Sequence, residues 1–413
     1  MANTLLTISM VTKRAMFHLS NQLIVAREVY KGYNTLFADV QGGFRIGSSA
    51  TVALPNKYRS IAGPDITGSI ADVTERSRTV SVDIQRSIPV QFTQTDLSLS
   101  LADFAYRFIE PATIQVADYI DQQVYAEYTN IYNELGTAGT VASTHSAIDD
   151  VRKRFTNEAV PSSPRFACLS PSAYGAMATG PMTGLFNQSM VDTLVREGFR
   201  GRFSTFDFYE TASFQTLTTG TRNRTAGQVK TQPAQNATSI ALKTYGNAET
   251  IKKGEIFTIA TVVGVNPISG NVWEDSTLRQ IVVTADATVD AAGDVTVNVS
   301  PAIISSAAAT NLLPHQTVND IPLVNDAITF TGTLSTAYSK NLFFHPNAFA
   351  LTMVPIADIG PGVEQTTVSD KLLGLSITYS NGGNILTHVG VRRLDVLFGV
   401  DTIRPELAAR LTN

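Results

Sequence analysis

The chain has one cysteine, Cys168, in 413 residues, which excludes an intrachain disulfide framework. Cys168 sits in the apolar run Arg165-Phe166-Ala167-Cys168-Leu169 and reads as a small buried hydrophobe rather than a nucleophile. Charge is also scarce. Asp, Glu, Lys and Arg make up 16% of the residues, against about 25% in ordinary soluble domains. Long charged side chains are costly to desolvate, and permanent interfaces carry fewer of them. The deficit leans towards a subunit buried among copies of itself, and a β-rich surface of Thr and Asn would give the same figure. The net charge of −4 argues against a strongly basic nucleic-acid binder. No uncharged apolar run approaches the roughly 18 residues of a membrane span. Lys13 and Arg14 follow the mildly apolar first ten residues instead of preceding them, so the expectation is synthesis in a cytoplasm without a secretory signal.

Catalytic patterns are missing as well. His18, His145, His315, His345 and His388 are never paired at the spacing of a zinc-binding helix, and no local cluster supplies converging metal ligands. His345, between Phe344 and Pro346, reads as an interior or interface histidine. There is no Gly-x-Ser-x-Gly elbow, no Walker loop and no Gly-x-Gly-x-x-Gly. Asp149 and Asp150 are adjacent and so point in different directions on a helix, as on a solvated face. Two short basic runs, Arg152-Lys153-Arg154 and Arg392-Arg393, could touch phosphate or form surface and intersubunit ion pairs. No enzyme activity, metal or cofactor is expected.

What is present is a patterned, multi-part chain, for which length predicts two to three domains at about 150 residues each. A chain of this size buries about 75% of its unfolded surface and needs no disulfide or metal staple. Ile8, Val11, Ala15, Leu19 and Leu23 recur at helical spacing and predict a helix within residues 7–31, stopped at Gly32. Strand-like runs at Phe44–Ile46, Thr51–Leu54 and Thr79–Ile84 flank a polar Gly/Pro/Ser segment, which predicts an extended hairpin. Its tip holds too few apolar residues for a core, so it is either mobile or packed on a partner.

Ser100 with Asp103 approximates a capping box, and Phe104 and Phe108 share a face. A second helix is predicted from Pro111 to Leu135, roughly 37 Å at 1.5 Å per residue, with Gly136 as its stop. Residues 146–220 alternate: helix at Ala147–Glu158, strand at Arg165–Leu169, helices at Pro171–Ala178 and Asp192–Glu197, strand at Phe206–Glu210. Two polar stretches, 216–238 and 305–322, read as loops that bracket a block of strands and so mark a domain insertion. Strands return at Asn341–Phe344 and through Leu373–Tyr379 and Val389–Phe398.

The bracketed block is the most specific segment. Gly254-Glu255-Ile256-Phe257-Thr258-Ile259-Ala260, Val265-Asn266-Pro267, Ile281 to Thr288 and Ser300-Pro301-Ala302-Ile303 resemble the inserted domain of coat proteins of short-tailed phages, of the type that infects Salmonella. Asn341-Leu342, Phe344-His345-Pro346 and Ala348-Phe349-Ala350 resemble that family's return to its main body. Ser369-Asp370-Lys371, Leu373-Gly374 and Ser376-Ile377 are similar to its next element. Arg393 to Leu397 with Gly399, then Pro405-Glu406-Leu407, resemble its closing signature. Ile46-Gly47 and Pro55, and Thr95-Asp96-Leu97 with Leu99-Ser100 and Asp103-Phe104, fall where the family has its extended loop and the entry to its spine helix. These pieces cover most of the chain in the family's order.

The resemblance implies an α+β fold of the tailed-phage and herpesvirus major capsid class with an inserted β-barrel. It implies an N-terminal arm (1–42), an extended hairpin loop (43–90), a peripheral domain with a spine helix (91–145), an axial domain (146–222), the barrel (223–338) and a return to the axial and peripheral parts (339–413). The implied function is self-assembly of hexamers and pentamers into an icosahedral procapsid that matures and encloses packaged double-stranded DNA. The implied partners are further copies of the chain, a scaffolding protein, a portal and non-specifically contacted DNA, without a membrane. The implied location is the virion capsid, assembled in the host cytoplasm. Candidate intersubunit contacts are Arg45, Lys57, Arg59, Asp65, Glu75 and Arg76 of the extended loop, and Glu274 and Asp275 of the insert, where Asp290 and Asp294 are further loop acids. The alternative is a β-rich decoration or receptor-binding protein of the virion surface, which a long amphipathic helix followed by a mixed body counts against.

Overall fold

Period-two alternation dominates the sequence, and strands dominate the structure. The computed structural model describes residues 8–37, 40–41, 44–45, 48–60, 63–64, 70, 73–93, 109–179, 202–309, 311–358, 360, 362–370, 374–384 and 389–413. The Ser100–Asp103 cap, Phe104, Phe108 and the helix expected at Asp192–Glu197 lie outside the described residues. Two units result: Met1–Val52, Arg78–Val124 and Phe349–Ile403 form the first, and Ala53–Ser77, Tyr125–Ala348 and Arg404–Asn413 the second.

The first unit is organised on the 14-residue strand Val389–Thr402. One edge of it pairs antiparallel with Leu375–Asn384, which in turn pairs with Glu364–Asp370. Phe349–Met353 continues that same edge beside residues 398–402, and Ile84–Thr93 takes the opposite edge beside residues 389–398. Alternation puts Leu375, Ile377, Tyr379, Leu394, Val396 and Phe398 into the core. Gly399 has a definite task there. A Cβ on it would collide with the Ser81 carbonyl oxygen, so only glycine lets the two backbones approach. The helix Ile8–Gln22 packs across Glu364–Asp370 and Leu375–Asn384, burying Val11, Ala15 and Leu19.

That helix ends earlier than the expected Gly32, and the cause is Asp121. Its carboxylate accepts the Ile24 and Ala26 backbone N–H groups at 2.8 Å each. The segment after Gln22 thus gives its amides to a side chain instead of a helix. The helix Glu110–Ala126 starts with Pro111 in its first turn, as expected, and buries Val116, Ile120 and Val124. It also stops short, at 17 residues instead of running to Leu135. Glu127–Asn130 tightens to a 3₁₀ turn, and Glu134–Leu135 becomes a strand parallel to Ala408–Thr412. Gly136 therefore closes a strand, not a helix.

In the second unit the strand Ala337–Phe344 is central. Ala408–Thr412 pairs along one edge, while Gln215–Thr218 and Phe166–Leu169 share the other. Phe206–Glu210 continues the sheet parallel to Phe166–Leu169, and Arg202–Phe203 ends it. The expected helices appear as His145–Asn157 and Pro171–Thr179. Phe155, Phe206 and Phe343 meet edge to face, with ring centroids 5.3 and 5.2 Å apart. Cys168 is fully buried in its strand, as its apolar surroundings predict.

Between the paired strands Gln215–Thr218 and Ala337–Phe344 the chain leaves to build a second sheet. Its order is Gln228–Val229, Ala237–Lys243, Val295–Ile303, Leu278–Val283, Ile256–Val263, Ile328–Phe330. A bridge from Gln228 to Ala327 joins last strand to first, with Val229 N–H to Asp326 O at 3.0 Å and Ile328 N–H to Gly227 O at 2.9 Å. The sheet is thus a closed six-stranded barrel, which leaves no open edge. Its first strand, Gln228–Val229, and the start of its second, Ala237–Lys243, fall inside residues 216–238, so that polar stretch is not simply an exit loop. Thr, Gln and Asn there face water while Val229 and Ile240 point inward. Phe257, Ile259, Ile281, Val283, Val297 and Phe330 form the centre of the barrel's own core.

Candidate functional site: barrel junction and hairpin base

The strands Ile256–Val263 and Leu278–Val283 read as near-continuous apolar runs because both their faces are covered. Phe257, Ile281 and Val283 point into the barrel, whereas Ile256 and Val282 pack outward against Tyr132. Around this contact the body and barrel exchange charged side chains. Arg279 and Glu158 form an ion pair with both side chains only 3% exposed. The Arg279 guanidinium lies 4.6 Å from the Tyr132 ring centroid and 5.4 Å from that of Trp273. Arg154 covers the same tryptophan at 4.3 Å. Burial pulls the Arg154 guanidinium down to about 10, with Glu158 opposing.

Glu134 anchors the neighbouring part of the junction. Its carboxylate holds Lys340 Nζ at 2.9 Å and Arg410 Nε at 2.6 Å, all nearly or fully buried. Burial alone pushes the Glu134 carboxyl up, but the two cations outweigh it and bring it below the ordinary range. The Glu134 backbone pairs with the barrel's Gln280 side chain, which accepts its N–H at 2.9 Å and donates to its carbonyl. Arg410 also donates to the carbonyls of Tyr128 and Gly254, the latter at the start of a barrel strand. Where the chain enters the barrel, Arg222 meets Glu255 at 3.3 Å with both side chains fully buried.

These contacts account for the basic run at 152–154. Arg152 pairs with Asp149 at 3.0 Å, Lys153 with Asp275 at 2.9 Å, and Arg154 with the Trp273 face. All three serve one subunit. Arg393 likewise pairs with Asp395 at 2.7 Å and reaches Ser87 at 3.0 Å, and Arg392 interacts with Tyr379. The phosphate-touching alternative for these runs gains no support from their geometry.

The extended loop supplies the second constellation. Ser49–Ala53 and Ser77–Ser81 pair as its stem. Beyond them Leu54 N–H bonds Arg76 O at 2.8 Å. Arg59 Nη2 donates to Gln316 Oε1 of the barrel at 2.7 Å. Thr74 Oγ1 donates to Asn311 O at 3.2 Å and accepts Asn311 Nδ2 at 3.4 Å. The His315 ring hydrogen-bonds the Thr74 backbone and lies near Arg76 and Lys57. Burial lowers Lys57, against the pull of Glu406 and Glu158. Glu75 is exposed, as is Glu274. Arg45 lies in a short strand, and Asp65 falls outside the described residues. Sequence reasoning picked Lys57, Arg59, Arg76 and Asp275 for charge alone. It missed Glu134, Glu158, Arg279 and Arg410, which carry no local motif and are brought together by strands far apart in sequence.

Among the described residues no group of His, Cys, Asp and Glu could hold a metal, and no helix is long and apolar enough to cross a membrane. A barrel inserted between two paired strands, an extended hairpin, an N-terminal helix and charged contacts given over to structure are the parts of a shell-building subunit. The chain belongs to the P22 coat protein family: the model described as P22 coat protein, gene protein 5, matches residues 1–411. It is therefore a tailed-phage major capsid protein, a structural component of the virion that builds a homo-oligomeric shell and not an enzyme.

Among solved structures the chain is similar to one from Mycobacterium phage Che8, at 11% identity and TM-score 0.46, covering 94% of this chain and 90% of that one. It is similar to the capsid of Ralstonia phage GP4 at 9% identity and TM-score 0.44, covering 89% and 84%. It is also similar to the capsid of Cyanophage P-SCSP1u at 11% identity and TM-score 0.42, covering 89% and 83%. No curated protein matches the sequence.

Proposed function

We propose that the chain assembles as hexamers and pentamers into an icosahedral procapsid in the host cytoplasm, guided by a scaffolding protein and built around a portal. The shell then matures as double-stranded DNA is packaged within it. Family membership over residues 1–411 is the observation that carries this reading. The working division is arm 1–42, extended loop 43–90, peripheral part 91–145, axial part 146–222, barrel 223–338 and return 339–413. The barrel, with its own core, folds early and holds the surrounding sheet strands in place. Glu75 and Glu274, exposed and acidic, are the intersubunit contacts best placed to meet a neighbour, with Arg45 and Asp65 as further candidates.

The test is to purify the subunit alone and with a candidate scaffolding protein, then image the products and sediment them. Closed shells with five-fold vertices and six-fold faces are expected in the mixture. A compact monomer under every condition, including with scaffold present, rejects the reading. Deleting residues 223–338 tests the folding role separately: assembly at the rate of the full chain would discard it.

A further inference from the structure

The hairpin sequence holds too few apolar residues for a core of its own, yet the described part of the hairpin is not loose. Two loops of the barrel grip it from its own chain. Beyond the strand Ser49–Ala53, Arg59 reaches Gln316, a side chain 4% exposed whose Nε2 is fixed by Val318 O at 2.9 Å. Gln316 is thus a pre-positioned acceptor and not a surface group that happens to be near. The other loop makes room for the same guanidinium. Gly270 has φ +72°, and a Cβ on it would overlap the Arg59 guanidinium. The left-handed backbone favours glycine at this position, and the space its missing side chain leaves is filled by the end of Arg59. Ahead of the strand Ser77–Ser81, Thr74 exchanges two hydrogen bonds with Asn311, and its backbone binds the ring of His315, itself 5% exposed.

We propose that the barrel is a cradle for the hairpin of its own chain. Its loops at 266–272 and 311–318 seat the segments 57–59 and 74–76 that extend the two hairpin strands, and fix the direction in which the hairpin is presented before a neighbour is met. This goes beyond shell building: it gives the barrel a partner surface in cis. The physical gain is entropic. A pre-ordered hairpin has already lost the freedom that a free loop would have to lose on docking.

Hydrogen exchange on the unassembled full-length subunit tests the cradle without requiring any shell to form. Amides of 54–60 and 73–76 should be protected in the wild type. Arg59→Ala and Gln316→Ala should each raise exchange of both hairpin strands at least tenfold, and the double variant should add little to either. The barrel core at 295–303 should stay unchanged, which separates loss of the cradle from loss of the barrel. An unprotected wild-type hairpin, or one indifferent to Gln316→Ala with an intact core, overturns the proposal. A second measurement uses Thr74→Cys with Asn311→Cys to staple the seat. Oxidised and reduced subunits should build the same particles. Assembly only when reduced would mean that the hairpin must leave the barrel, and would overturn the claim that the seat sets its direction.

Discussion

The barrel is held to the body and to the hairpin by two different kinds of contact. Against the body it uses an ion pair that is almost wholly buried, Glu158 with Arg279, and it abuts a second buried network within the body, Glu134 with Lys340 and Arg410, which reaches it through the Gly254 carbonyl and the Gln280 side chain. Against the hairpin it uses neutral or singly charged hydrogen bonds, the Thr74–Asn311 pair being exposed. A buried ion pair is costly to break because the survivor keeps its desolvation penalty with nothing to offset it. An exposed hydrogen bond trades with water at little net cost. The first kind of contact suits a junction that is made once during folding. The second suits a segment whose fit must be adjusted.

The sharpest way to break this contrast is at Glu134. Glu134→Ala should destabilise the subunit by about 3–5 kcal/mol, because Lys340 and Arg410 are left buried and unpaired. Urea unfolding followed by tryptophan fluorescence reads the loss, since Trp273 is the only tryptophan and lies beside the junction. The second test is at Arg279. Arg279→Ala should cost about 3 kcal/mol by stranding Glu158, whereas Glu158→Leu combined with Arg279→Met should come within about 1 kcal/mol of the wild type. If the double variant is as unstable as the single one, the pair holds the barrel by more than mutual neutralisation.

The strands of both units were legible, and the charged partners at the barrel junction were not. Alternation identifies Leu375–Tyr379 and Leu394–Phe398 because one face of each is buried. The apolar runs at 256–259 and 281–283 stand out because both faces are. By contrast, nothing near Glu134 in sequence marks it as a network centre: Lys340 is 206 positions away. The two helix ends were misplaced for a related reason. The Asp121 carboxylate takes the amides that would have continued the first helix. The second is ended by strand pairing with the C-terminus. Both are tertiary effects, invisible to local propensity.

Asp121 extends the comparison into the first unit, as a buried carboxylate held by backbone amides, with no ion pair among the described residues. Burial raises its carboxyl to about 6, although the Ala26, Ile24 and Val25 backbone amides work the other way. An acid raised in the folded state binds more protons folded than unfolded between about pH 4 and pH 6, so stability falls as pH rises through that window. The wild type should lose roughly 2–3 kcal/mol there from this group. Asp121→Asn should flatten that part of the profile. Denaturant midpoints at pH 4, 5 and 6 read it, and a profile unchanged by the substitution would assign the slope to other groups.

The smallest effect should come from the exposed pair at the rim of the same junction. Burial works upward on Asp275, but hydrogen bonds from Thr277 and Lys153 outweigh it and hold the carboxyl at about 2. The sign is then opposite to that of Asp121. Any contribution is present above the ordinary carboxylate pKa and is lost as pH falls towards 2. Its size is cut by solvent, since the Lys153 side chain is 51% exposed and that of Asp275 31%. Asp275→Asn should leave the urea midpoint at neutral pH within error of the wild type, although it lies on the same interface as Arg279. A midpoint shift as large as that of Arg279→Ala would mean that position at the junction, and not burial of charge, decides what holds the barrel.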